Sequence, residues 1–294
     1  MKLALKIDVD TLRGTVEGVP RLARLLERHG AGASFFYSLG PDHTGRALRR
    51  VFRPGFFSKV RRTSVLRHYG LRTLLYGTLL PGPDIGIRCA ATLRAVRDMG
   101  FEAGVHCWDH VRWQDGIERA DAGWTEREMR RGCERFAAVF GTQPRAWAAA
   151  GWQTNRHAAR VEELAFDYAS DTRGRCAFRP LWDGAAIGCA QLPTTLPTLD
   201  ELVGRDGLDE GNVAVHLLAL TAEPRQHVFT AHAELEGGAF LGAFEGLLSG
   251  WKAQGYELVS LRALFASLDP ARLPQHDVVY GEIAGRSGRL ALQA

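Results

Sequence analysis

Leu3, Leu5, Ile7 and Val9 recur at every second position, the period of a buried strand, so Asp8 and Asp10 project toward one side at its C-terminal end. The spacing of Leu22, Leu25 and Leu26 predicts a helix over Pro20 to His29 that stops at Gly30, and Ala33 to Leu39 then reads as a second strand. A helix from Ile85 to Met99 leads into a strand at Phe101 to Val105. Thr125 and Glu128 have the spacing of a capping box and open a helix running to about Phe140. Strands follow at Arg145 to Ala150, Tyr168 to Asp171, Cys189 to Leu192, His227 to His232 and Glu257 to Ser260. Between them lie helices from about Asn155, near Asp209 to Leu220 and from Ala239 to Gln254. Alternating strands and helices predict an α/β fold with parallel strands and right-handed crossovers, most simply a closed or nearly closed barrel whose functional side chains lie at C-terminal strand ends. The tail after Pro270 either covers such a site or packs on the surface.

The 294 residues suit a single domain over 1–294, and the composition is that of a globular protein. Charge adds a local feature. From Asp42 to Asp84 no acid intervenes, whereas Arg46, Arg49, Arg50, Arg53, Lys59, Arg61, Arg62, Arg67 and Arg72 all fall there, so the rest of the chain is net acidic. Phenylalanines, tyrosines and leucines are interleaved with these bases, which predicts a basic amphipathic helical insertion at 41–83. A solvated helical face accounts for some of the cations but not for the missing acids. An anionic membrane surface, met through Arg46 to Leu80, is preferred to nucleic acid, because the aliphatic content is high and no nucleic-acid motif accompanies it. Five cysteines without a CxxC pattern argue for a reducing compartment. A lysine within the first apolar run and the lack of any long apolar stretch point to a cytoplasmic chain that does not span a membrane.

Three clusters carry candidate chemistry. Asp8 and Asp10 are costly to bury together unless a cation or proton sits between them; otherwise one caps the turn at Thr11 and the other is solvated. His106 and His110, four apart after a strand, can share a metal, although such a pair alone is often structural. With Asp10 they offer one carboxylate and two imidazoles and leave coordination positions open, the mark of a catalytic site. His232, at another strand end, is either a satisfied core histidine or the proton donor that an amine leaving group requires. Asp171 is placed to hydrogen-bond that imidazole, or else forms a turn before Gly174; Glu234 and Glu236 read as substrate contacts or loop surface.

The order Asp-x-Asp, His-x-x-x-His, a glycine-containing strand end, an Asp and a late His resembles the polysaccharide deacetylase family over most of residues 3 to 260. More narrowly, Ile7 to Thr15, His106 to His110, Ala148 to Trp152, Ser170 to Gly174, Phe178 to Leu181 and His232 to Gly237 are similar to a branch of deformylases within it. That branch acts on a formamido sugar joined through phosphate to a polyprenyl lipid, on the way to lipid A modification and polymyxin resistance. The resemblance implies a distorted barrel of about seven strands. It also implies a divalent metal (zinc, manganese, cobalt or nickel) on Asp10, His106 and His110, Asp8 as catalytic base and His232 as catalytic acid. The basic segment Arg46 to Leu80 would then dock on the inner leaflet, which fits a cytoplasmic enzyme held peripherally on the cytoplasmic face of the inner membrane. An N-acetyl sugar deacetylase and a non-catalytic lipid-binding protein are the alternatives. One departure stands out: where the wider family has an arginine that orients the catalytic Asp, this chain has Trp147, which leaves Arg13 or Arg173 as the candidate cation for Asp8.

Overall fold

The computed structural model describes residues 1–47, 65–286 and 288–294. The strands are β1 (Lys2–Val9), β2 (Ser34–Ser38), β3 (Glu102–Cys107), β4 (Ala146–Trp147), β5 (Tyr168–Ala169), β6 (Arg179–Trp182), β7 (Ala185–Ala186), β8 (Ala190–Gln191), β9 (His227–His232), β10 (Glu257–Val259), β11 (Gln275–Gly281) and β12 (Leu290–Gln293). A parallel sheet runs β10-β1-β2-β3-β4-β5-β8, and β9 pairs with the free side of β1. Beyond β8 the chain comes back to β9: the Thr195 amide donates to the Val228 carbonyl at 3.0 Å, and the hydroxyls of Thr194 and Thr230 lie 2.7 Å apart. The expected near-closed barrel is therefore drawn shut by side chains and a single backbone bond rather than by a full ladder.

Period-two alternation divides the core. Leu3, Leu5, Ile7 and Val9 face outward into a large cluster with helix residues such as Leu22, Leu25, Met129 and Leu247. Ala4, Phe36, Ala146, Tyr168, Ala190 and Val228 fill the interior. Lys6 and Asp8 share that inner face with Ala4, as strand geometry requires, and Asp10 continues the series just past the strand.

The helix over Ala122–Phe140 begins one turn earlier than the capping-box spacing suggested. Asp121 caps it by accepting from the Trp124 amide, while Thr125 lies inside the first turn and donates to the Asp121 carbonyl. The reciprocal capping box occurs instead at Thr198 and Glu201. The helix expected over Ile85 to Met99 is interrupted at Cys89, giving Ile85–Arg88 and Ala90–Asp98. The tail supplies β11 and β12, which join β6 and β7 in a smaller sheet, and the backbone of β12 bonds Arg173 in both directions. All five cysteines are free, and among the described residues no helix is long and apolar enough to cross a membrane. Of the basic insertion expected at 41–83, residues 48–64 lie outside the described residues; the helix Val65–Leu75 within it is broken at Gly70 (φ 74°, ψ 153°).

Candidate active site

Parallel order gathers the acids and imidazoles at one mouth. Asp8 lies directly opposite His232 in the β1/β9 register, and His106 belongs to the end of β3, one strand beyond β2. His110 opens the next helix, held there because Asp109 caps that helix through the Arg112 amide and also meets His43 Nδ1 at 2.6 Å. The loop after β1 is clamped by Glu234, whose Oε1 accepts from the amides of Asp10 and Thr11 and from the Thr11 hydroxyl at 2.8–3.0 Å. Close packing there demands glycine: a Cβ on Gly18 would fall 1.9 Å from the Ala233 carbonyl oxygen.

His106 Nε2 and His110 Nε2 each lie 3.3 Å from an oxygen of Asp10, and one ligand atom from each of the three residues falls within 4.8 Å of the others. A tetrahedral ion with bonds of about 2.1 Å separates its ligands by about 3.4 Å, so the spacing suits a divalent metal. The orphaned atoms agree with this. Oδ1 of Asp8, Oδ1 of Asp10 and Nδ1 of His106 are buried without a hydrogen-bond partner, an expense that a bound cation and water relieve. Burial alone would raise the Asp10 carboxyl, but His110 and His106 overturn that and hold it well below the usual carboxylate range. Burial likewise opposes charge on His106, and the carboxylates of Asp8 and Asp10 prevail to raise its pKa.

Asp8 is buried, and its Oδ2 lies 3.2 Å from Nζ of Lys6, a lysine with no solvent exposure. Sequence reasoning named Arg13 and Arg173 for this role and passed over Lys6. Arg13 pairs with Glu17, and Arg173 with Glu201, so neither is the contact Asp8 makes. Trp147 points the other way, into the outer core against Trp113 and Phe166.

The surroundings of His232 correct a second expectation. Asp171 does not reach it: Asp171 accepts from the Ala149 amide at 2.6 Å and from Gln191, and it shares a buried pocket with Glu162. Burial raises both of those carboxyls. The His232 amide donates to Glu236, and its Nδ1 has no hydrogen-bond partner. Burial lowers the imidazole's pKa; Asp200 opposes that effect and Arg286 adds to it. Arg286 comes from the tail, bonding Asp200, Glu201 and Thr198 while lying 4.7 Å from the centroid of Trp152. The rings of Trp152 and His232 are nearly perpendicular, centroids 6.1 Å apart, and Trp152 adopts φ 54°, a left-handed conformation costly for a bulky residue. The tail thus does cover the site, and Asp200 and Arg286 are the residues sequence reasoning missed there. Neither carried a local signal, because each is brought in by a distant loop.

No family model matches the chain. Its fold is that of the polysaccharide deacetylases. A Mycobacterium smegmatis protein assigned to them superposes with a TM-score of 0.65 over 96% of this chain and 94% of its own, at 15% identity. A probable polysaccharide deacetylase from Pseudomonas aeruginosa PAO1 gives 0.61 over 90% and 89%, also at 15% identity. Fold and site together place a candidate metal site, Asp10, His106 and His110, at the mouth of a barrel of this class. At the level of sequence the chain is 37% identical over 295 residues to the probable 4-deoxy-4-formamido-L-arabinose-phosphoundecaprenol deformylase of Shewanella sediminis, spanning 100% of this chain and 95% of the relative. It is 29% identical to the corresponding protein of Wigglesworthia glossinidia brevipalpis, spanning 95% and 98%. The chain belongs to this deformylase family.

Proposed function

We propose that the protein hydrolyses the formamide of a 4-deoxy-4-formamido-L-arabinose joined through phosphate to undecaprenol, releasing formate and the free amine. The observation that supports this most is the convergence of Asp10, His106 and His110 beside Asp8 and His232, in a chain related over its whole length to probable deformylases of that substrate. Asp10, His106 and His110 would hold a divalent cation, which when bound would supply Lewis-acid activation to water and to the formyl carbonyl. Asp8, through its unpartnered Oδ1, takes the proton from the attacking water as the carbon–oxygen bond forms. His232 gives a proton to the sugar nitrogen as the carbon–nitrogen bond breaks. Asp171 braces the Ala149 turn rather than the imidazole.

A groove beside the site, lined by Arg13, Gly14, Gly18, Arg21, Glu234 and Gly237 among others, receives the phosphate, with the two arginines as its cationic contacts. The basic segment Arg46 to Leu80 docks on the anionic inner leaflet. Leu71 and Leu79 are 67% and 81% exposed there, apolar side chains set among bases. Formate release from the lipid-linked sugar, by protein stripped of metal and then reloaded, tests the activity. Release of acetate from the N-acetyl analogue with no formate would overturn the substrate. Sedimentation with vesicles containing anionic lipid, weakening as salt rises, tests the docking; binding insensitive to salt and to reversal of these arginines would overturn it.

A further inference from the structure

We propose that Lys6 is the positioning residue for the Asp8 base, taking from β1 the part that Trp147 cannot supply. The inference rests on the deformylase reading above. Its carrying observation is a lysine with no solvent exposure, two residues before the base on the inner face of the same strand. Lysine is almost never fully buried unless paired. The Lys6 ammonium forms an ion pair with the Asp8 carboxylate at 3.2 Å and donates to the Ser170 carbonyl at 3.1 Å. The rings of Trp152 and Phe36 surround it at 5.3 and 5.9 Å from their centroids.

Stability does not account for such a pair. A well-packed apolar residue in place of a buried ion pair is often neutral or better, whereas a lone buried charge is severely unfavourable. What the pair provides is direction. Lys6 engages Oδ2 of the Asp8 carboxylate and leaves Oδ1 buried and unpartnered, 3.8 Å from His106 Nδ1. Ser170 closes the arrangement from the far side of the barrel: its amide donates to the Trp147 carbonyl and its hydroxyl to the Leu192 carbonyl, so the Lys6 anchor is set by the sheet. A base held in one orientation reacts without first searching for it, and misplacement by an ångström can cost about a hundredfold in rate.

The test compares Lys6→Met and Lys6→Arg with wild type for formate release, bound metal and thermal unfolding. The Met variant should lose at least about a hundredfold in kcat with KM and metal content unchanged, and the Arg variant should return to within about tenfold of wild type. A folded Met variant with wild-type kcat overturns the proposal. So does loss of kcat in step with loss of metal, or an Arg variant no better than Met.

Should the Met variant be unstable, the same substitution in an Asp8→Asn background decides. Lys6 acting only through Asp8 adds no further loss to that background's residual rate; the full loss repeated there overturns the role. A crystal structure of the Met variant gives a reading independent of turnover: a turned Asp8 carboxylate supports the proposal and an unmoved one overturns it. If wild type releases acetate and no formate, the substrate reading fails, and the Lys6 comparison is read on acetate.

Discussion

The two sides of the mouth are built differently. On the side of the proposed base and candidate metal site, Asp8 and Asp10 come from the end of β1 and the position just past it, His106 from the end of β3 and His110 from the helix that follows, and short carboxylate–imidazole distances join them directly. On the acid side, His232 ends β9, but its electrostatic setting comes from the Thr198 to Glu201 turn, from Trp152 and from Arg286 in the tail. Strand order alone assembles the first side; the second exists only once the tail has folded back. Trp152 belongs to both, with the Lys6 ammonium 5.3 Å from its centroid, the Arg286 guanidinium 4.7 Å away and its ring nearly perpendicular to that of His232. A strained indole at that junction is tolerated because the Thr194 hydroxyl accepts its N–H at 2.9 Å and three cations, Lys6, Arg173 and Arg286, pack on it.

The difference is sharpest in what a single substitution should do. Asp8→Asn and His106→Ala strike the directly coupled side, and each should lower formate release by at least about a thousandfold while leaving the fold intact by circular dichroism. His106→Ala should also lose bound metal and Asp8→Asn should not, because Asp8 is not among the three clustered ligands. A folded Asp8→Asn variant with full activity would remove the base from the mechanism.

Changes on the acid side should act first on pH dependence. As the proposed acid His232 must carry its proton, and burial lowers its pKa, so the limb of kcat/KM on which activity falls with its deprotonation should lie below the ordinary imidazole value. Arg286→Gln removes a cation and should move that limb to higher pH, whereas Asp200→Asn removes an anion and should move it lower. Opposite shifts, with about a tenfold loss of rate near neutrality for Asp200→Asn, are the expected outcome. Parallel shifts would mean that the network holds shape only.

This contrast also explains what could be read in the chain beforehand. The candidate metal ligands and the proposed base and acid lie next to apolar runs of period two, so their strand ends, and hence their shared mouth, are local facts of sequence. Lys6 was equally local; it sits on the inner face by the same alternation that placed Asp8, and what hid it was the expectation that a cation for the base would be an arginine. Asp171 looked placed for His232 because β5 and β9 both end at the mouth, yet Asp171 turns to the Ala149 amide and Gln191. Asp200 and Arg286 could not be found by spacing, since 86 residues separate partners whose side chains bond at 3.0 Å.

A smaller effect tests where substrate approaches. Arg21 is exposed at the groove rim and donates weakly to the Gly237 carbonyl at 3.4 Å. Because a solvent-screened arginine contributes modestly, Arg21→Ala should raise KM for the phosphate-linked sugar only about three- to tenfold. KM for a phosphate-free methyl glycoside should not change. Equal effects on both substrates would place the phosphate elsewhere.

The smallest effect is expected where charge looks most dangerous. Glu234 is buried beside Asp10, and burial first, then the Asp10 carboxylate, raises its pKa well above 4.5, which favours the neutral acid in metal-free protein. Its Oε1 already accepts three hydrogen bonds, and Oε2 has no partner. Glutamine keeps the same acceptor and shape, so Glu234→Gln should change the stability of metal-free protein near pH 6 by less than about 0.5 kcal/mol. Glu234→Ala strands the Asp10 and Thr11 donors and should cost about 1–3 kcal/mol. An acid whose folded pKa is raised contributes stability that is complete below its unfolded value and is lost as pH climbs toward the folded one. Metal-free wild type should therefore weaken as pH rises above about 4.5, and the Gln variant should weaken with a slope smaller by one proton. Denaturant unfolding of chelated protein across that range measures both, and a Gln variant as unstable as Ala would show that Glu234 is held as an anion beside Asp10.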